Sequence, residues 1–242
     1  MGVFMNRVML FTTTAMFALA AAGMSYAAGA HPTVVSTGNR IVRHGPSNNG
    51  SPCGTGTVLY QQDPTSTGRA DSGIGIVSQN FETAFDQYDA QAADDFHVPP
   101  GGWTVNEVDV TGVYFNGSGP AVSETVTFYD TDNSRPGNGR PGTVINSYTV
   151  TGGDTFGSFC MTIPGSQPLP AGHFWVSVQA NMDFSAGGEW AWENLVPPRV
   201  FRRTKWQNPG GGFATGPHCV HWKVENVCIP DGQGDHIFTL RQ

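Results

Sequence analysis

The sequence predicts an all-β fold, an antiparallel two-sheet β-sandwich of jelly-roll type. Three observations carry that expectation. From Asp95 onward, apolar and polar residues alternate with period two. Clusters of Pro, Gly and Asn punctuate the alternating runs at short intervals. The chain holds 32 glycines but only 12 Lys and Arg, a composition that suits strands joined by tight turns and not long charged helices. Period two gives each strand one buried and one wet face, as in antiparallel sandwiches.

In chain order, residues 1–27 read as a secretory signal peptide. Arg7 is their only charge, an apolar run from Val8 to Ala22 follows, and Ser25-Tyr26-Ala27 ends in small residues at a peptidase site. The run is too short for a membrane span. Residues 28–56 are rich in Pro, Gly, Asn and Ser and read as a flexible leader. Residues 57–242 read as one β-sandwich domain. Within it, Thr57–Tyr60 is the first strand, residues 61–74 look turn-like, and Phe81–Tyr88 suits a short helical turn. Strands follow at Asn106–Val110, Glu124–Phe128, Ser158–Ile163, His173–Val178, Glu189–Asn194 and His236–Leu240. Val98-Pro99-Pro100-Gly101-Gly102 and Leu169-Pro170-Ala171-Gly172 are among the turns between them.

Removing residues 1–27 leaves 11 basic against 19 acidic residues, a formal net charge of −8. That balance excludes a nucleic-acid or anionic-membrane surface, which needs a basic field. An even count of four cysteines in an exported chain favours disulfides over metal thiolates. Cys219 and Cys228 are nine residues apart around a β-like stretch and suit a local bridge; Cys53–Cys160 follows by elimination. The expected compartment is therefore secreted, extracellular or periplasmic. The oligomeric state stays open.

From Ala92-Ala93-Asp94-Asp95-Phe96-His97-Val98-Pro99 the chain resembles a group of exported bacterial β-sandwich proteins that carry ADDFxVP before a sandwich strand. Trp175-Val176-Ser177-Val178-Gln179-Ala180-Asn181-Met182-Asp183-Phe184, Trp190-Ala191-Trp192-Glu193-Asn194 and Trp206-Gln207-Asn208-Pro209-Gly210-Gly211-Gly212-Phe213 extend the likeness over most of the chain. The resemblance implies the fold. It implies no activity, because the group has none assigned.

Five constellations are weighed for chemistry. Trp190, Trp192 and Asn194 share one face of a strand and suit sugar stacking, with Trp175, Trp206 and Trp222 as companions; core packing of Trp190 and Trp192 is the alternative. Glu189 and Glu193 share the other face, but the i, i+4 separation on a strand is roughly 13 Å, too wide for a glycosidase pair, so solvated edge charges are expected. Asp94, Asp95, Asp130 and Asp132 supply oxygens for a structural calcium, with turn-capping as the alternative. Arg199, Arg202, Arg203 and Lys205 form the only basic run and read as a salt-bridged or edge-protecting face. His218-Cys219-Val220-His221 loses its thiolate if Cys219 is bridged. No nucleophile elbow, zinc-protease motif or phosphate loop is present. The leading expectation is a non-catalytic exported protein that binds an extracellular glycan or a surface. A glycan hydrolase or lyase, and a structural matrix or assembly protein, are the alternatives.

Overall fold

The alternating runs fold as strands. The computed structural model describes residues 32–33, 54, 56–68, 71–134, 139–196, 200–232 and 234–242, all within the unit Pro32–Gln242. The expected signal peptide, most of the expected leader, Cys53 and Arg199 lie outside the described residues. Among those described, fifteen strands, labelled in chain order, make three sheets. Sheet one runs β1 (Val58–Gln62), β15 (Phe238–Arg241), β5 (Trp103–Val110), β10 (Ser158–Leu169), β9 (Gly153–Thr155). Sheet two runs β14 (Lys223–Val224), β13 (Lys205–Gln207), β4 (Gln91–Val98), β11 (Gly172–Asn181), β7 (Ser123–Asp132), β8 (Arg140–Val150). These neighbours are all antiparallel; the two-residue β3 (Gln79–Asn80) adds a parallel pair on β11. Sheet three, β2 (Asp71–Val77), β12 (Glu189–Leu195) and β6 (Gly112–Phe115), is an addition to the two-sheet expectation.

Sheets one and two face each other across the core. β11 points Phe174, Val176, Val178 and Ala180 inward, β7 contributes Val126 and Phe128, and β4 contributes Ala92 and Phe96. Phe159, Met161, Phe238 and Leu240 meet them from sheet one, and the Phe96 and Phe238 rings lie 6.4 Å apart. Burying each large apolar side chain stabilises by about 1.5–3 kcal/mol over leaving it in water. The chain crosses between sheets at the two Pro-Gly turns read from the sequence. After β4 it passes through Gly101 (φ 106°) and Gly102 (φ 74°), left-handed positions that favour glycine.

Sheet three closes the core with aromatics. Trp190 stacks on Phe159 at 4.8 Å, and Trp192 stacks on His236 at 4.5 Å. Gly112 makes the first contact possible, since a Cβ there would overlap the Trp190 indole. The segment 61–74 departs from the turn-like expectation. β1 reaches Gln62, a helical turn spans Pro64–Thr67 behind an Asp63 capping box, and β2 begins at Asp71. The Gly and Ser of Asp71-Ser72-Gly73-Ile74-Gly75 hide a strand that pairing with β12 creates. Phe81–Tyr88 matches a short 3₁₀ helix, Thr83–Tyr88. No helix among the described residues is long and apolar enough to cross a membrane.

Cys219 and Cys228 are bridged, with Cα atoms 5.8 Å apart. Cys160 is also disulfide-bonded; its expected partner is Cys53. Beneath sheet three lies a sealed polar network. Asp94 Oδ2 accepts from Gln62 Nε2 and from the His236 backbone N–H, both at 2.7 Å. Burial, with Asp235 and Asp95 nearby, pushes the Asp94 carboxyl well above the ordinary aspartate range. His236 Nε2 sits 2.8 Å from Glu225 Oε2, and Asn194 Nδ2 donates to Glu225 Oε1 at 3.1 Å.

Candidate binding face

The outer face of sheet two is built by register. Three strands bring a glutamine each into one row: Gln207 on β13 pairs with Gln91 on β4, which lies beside Gln179 on β11. Gln207 Nε2 donates to Gln91 Oε1 at 2.6 Å, and Gln91 Nε2 donates to Gln179 Oε1 at 2.8 Å. The row continues through Thr125 to Thr149. The next row reads Lys205, Ala93, Ser177, Thr127, Ser147, and the one after it holds Asp95, Trp175 and Tyr129. Thr127 and Ser147 share a hydroxyl hydrogen bond at 2.9 Å. The glutamine–threonine row is a part of this face open to solvent; Ala93, Ser177 and Thr127 of the next row are buried.

At one end the face deepens. Half-buried Trp222 packs over Ala93, Tyr129 and Trp175, with its ring edge-on to Tyr129 at 5.8 Å. Beside it opens a groove of about 750 Å³ lined by Asp130, Asp132, Arg140, Gln207, His221 and Trp222. Trp222 is held there by its chain neighbours: β14 follows it, and the Cys219–Cys228 bridge spans it. Lys205 is 2% exposed, and its Nζ sits 5.4 Å from the centre of the Trp175 ring, against which Trp222 packs. Burial pulls the Lys205 ammonium down to about 8, with the Asp95 carboxylate opposing and Arg202 reinforcing.

The residues singled out from sequence fall elsewhere. Trp190, Trp192 and Trp206 are fully buried and Asn194 is 1% exposed, so they present no open face to a sugar. Each indole N–H is spent on a backbone carbonyl: Trp190 on Gly157, Trp192 on Ile237, Trp206 on Val77. Core packing describes Trp190 and Trp192, because β12 is covered on both faces. The same covering corrects the expected solvation of Glu189 and Glu193, both of which are sealed from solvent. Glu189 accepts from Asn116 Nδ2 and from the Thr33 backbone N–H, each at 2.6 Å, while burial still lifts its carboxyl to about 8.

The four aspartates offered for calcium are not brought together. Asp94 and Asp95 point to opposite faces of β4, and β11 separates that strand from Asp130 and Asp132 on β7. Asp95 is engaged by His173 Nε2 and the Arg202 backbone N–H, and Asp130 by the Thr143 N–H. Ser134 and Arg140 hold the Asp132 carboxyl down to about 2. Among the described residues, no three His, Cys, Asp or Glu gather to hold a metal ion. The basic run does not form the expected strand face either. Among the described residues of that run only Lys205 lies on a strand, and it is interior. Arg202 reaches Asn133 Oδ1 at 3.0 Å.

No protein-family model, curated protein or solved structure matches this chain.

The sequence pointed to Trp175 and Trp222 only as companions of the other tryptophans, and it did not point to the glutamine row. Gln91, Gln179 and Gln207 each sit at the wet position of an alternating run, which is the signal they carry. Their adjacency depends on strand order.

Proposed function

We propose that this protein is an exported, non-catalytic glycan-binding β-sandwich whose binding face is the outer surface of sheet two beside Trp222. The row Gln207–Gln91–Gln179–Thr125–Thr149 carries the reading. Each amide offers both donors and acceptors, and each hydroxyl does either, which is what a saccharide bearing many hydroxyl groups requires. Trp222 adds an aromatic wall next to that row, and the groove is roomy enough for a saccharide. The bridged Cys219–Cys228 pair favours an oxidising compartment, in keeping with the signal-peptide reading of residues 1–27. Glu189 and Glu193, too widely spaced in sequence for a glycosidase pair, are also sealed from solvent.

The test is a glycan array on the mature protein, followed by calorimetry with the best ligand. Gln91→Ala and Trp222→Ala are each expected to weaken binding by about tenfold or more, equivalent to roughly 1.4 kcal/mol or above. Unchanged binding in both variants, with both folded, would refute this face as the site. Turnover of the bound glycan would move the protein to the enzyme class.

A further inference from the structure

We propose that the Lys205–Trp175–Ser177 corner of this face receives a carboxylate, so that the ligand is a saccharide containing uronic acid; this rests on the glycan reading above. The three residues surround the small side chain of Ala93. Lys205 and Ser177 are its register partners from the two flanking strands, and Trp175 follows one row along. All three are buried, at 2%, 1% and 0% exposure. Lys205 Nζ, Ser177 Oγ and Trp175 Nε1 find no hydrogen-bond partner among the described residues.

Chemistry narrows what belongs there. An ammonium and an indole N–H only donate, and a serine hydroxyl does so readily. A buried donor left without an acceptor costs about 1–3 kcal/mol, more when charged. A carboxylate offers two oxygens and about four lone-pair sites, whereas a water accepts only two such bonds. The nearest carboxylate of the protein, Asp95, is already engaged by His173 and the Arg202 N–H. With its titration near 8, the Lys205 ammonium is mostly charged at neutral pH, and Arg202 and Arg203 add positive potential around it. Trp222, half-buried, is the residue packed over this corner and also a wall of the adjoining groove. The proposed route from the groove to the corner runs past that indole.

The experiment compares oligogalacturonate with its methyl ester, which keeps the stereochemistry and removes the charge. It also follows the Trp175 Nε1–H resonance during titration with sodium glucuronate. Oligogalacturonate is expected to bind about tenfold more tightly than the ester, as a charge-assisted bond lost on esterification implies. Lys205→Met should abolish that preference and the glucuronate-induced shift of Trp175. Ser177→Ala, a milder change, should reduce both, and it serves if Lys205→Met does not fold. Equal affinity for acid and ester, or a Trp175 resonance that glucuronate leaves unmoved while neutral saccharides still bind, overturns the carboxylate and leaves the glycan reading intact. If no saccharide binds and glucuronate has no effect, both readings fall.

Discussion

Trp190 and Trp192 are held by ring and hydrogen bond at once. Each indole is fully buried, stacks on a neighbour within 5 Å and donates its N–H to a carbonyl. Truncation removes that packing and leaves an orphaned carbonyl. Trp190→Ala and Trp192→Ala should therefore each cost about 3–5 kcal/mol, read as a shift in urea midpoint, with no separate effect on ligand. Glu189 makes stability depend on pH. Its carboxyl titrates near 4.5 when unfolded and at about 8 when folded. Between those values the native state keeps a proton that the unfolded state has released, so stability falls as pH rises through the window and is unaffected below it. Asp94 is raised in the same sense. Glu189→Gln should make the decline from about pH 5 to about pH 8 shallower without abolishing it, measured by urea unfolding across that range. The burial of Glu189 and Glu193 was not legible in the sequence: a lone strand with two acids on one face reads as an edge, whereas β12 is the central strand of its sheet, flanked by β2 and β6.

Single elements tell a similar story. β7, β10 and β11 were legible because each carries its own alternation. β2 was not, because Gly73 and Gly75 weaken its local preference and its partner β12 lies more than a hundred residues later. The glutamine row depends on three elements being adjacent, β13 beside β4 beside β11, so no one segment announces it. The segment carrying Trp222 depends on its bridge. Cys219 and Cys228 close a short loop, worth about 2.5 kcal/mol in the chain-entropy account. Replacing both with Ser should lower stability by about that amount. It should weaken glycan binding further than global stability alone explains, since Trp222 loses its anchor. Thermal unfolding and calorimetry on the same variant separate the two effects.

Across the molecule, the two-sheet sandwich was legible and the path between the sheets was only partly so. The Pro-Gly turns after β4 and β10 mark where the chain changes sheets, but nothing local places β15 between β1 and β5. That insertion pairs Val58 with Arg241, and Leu240 lies against both Tyr60 and Val108. Deleting residues 238–242 should therefore prevent folding and not merely fray one end, since it splits sheet one and strips Phe238 and Leu240 from the core. Loss of the cooperative unfolding transition is the expected readout.

The position of β15 also sets an order in time. A chain emerging from a ribosome supplies β1 first among the strands, yet the strand that must lie beside it comes only after β2 to β14 have been made. Until then the inner faces of β5 and β10, with Val108, Phe159 and Met161, have no finished sheet to belong to. Such long-range pairing closes slowly. Sheet one thus cannot close until β15 has been made, and until then the polypeptide is a client for whatever handles extended, greasy nascent chains.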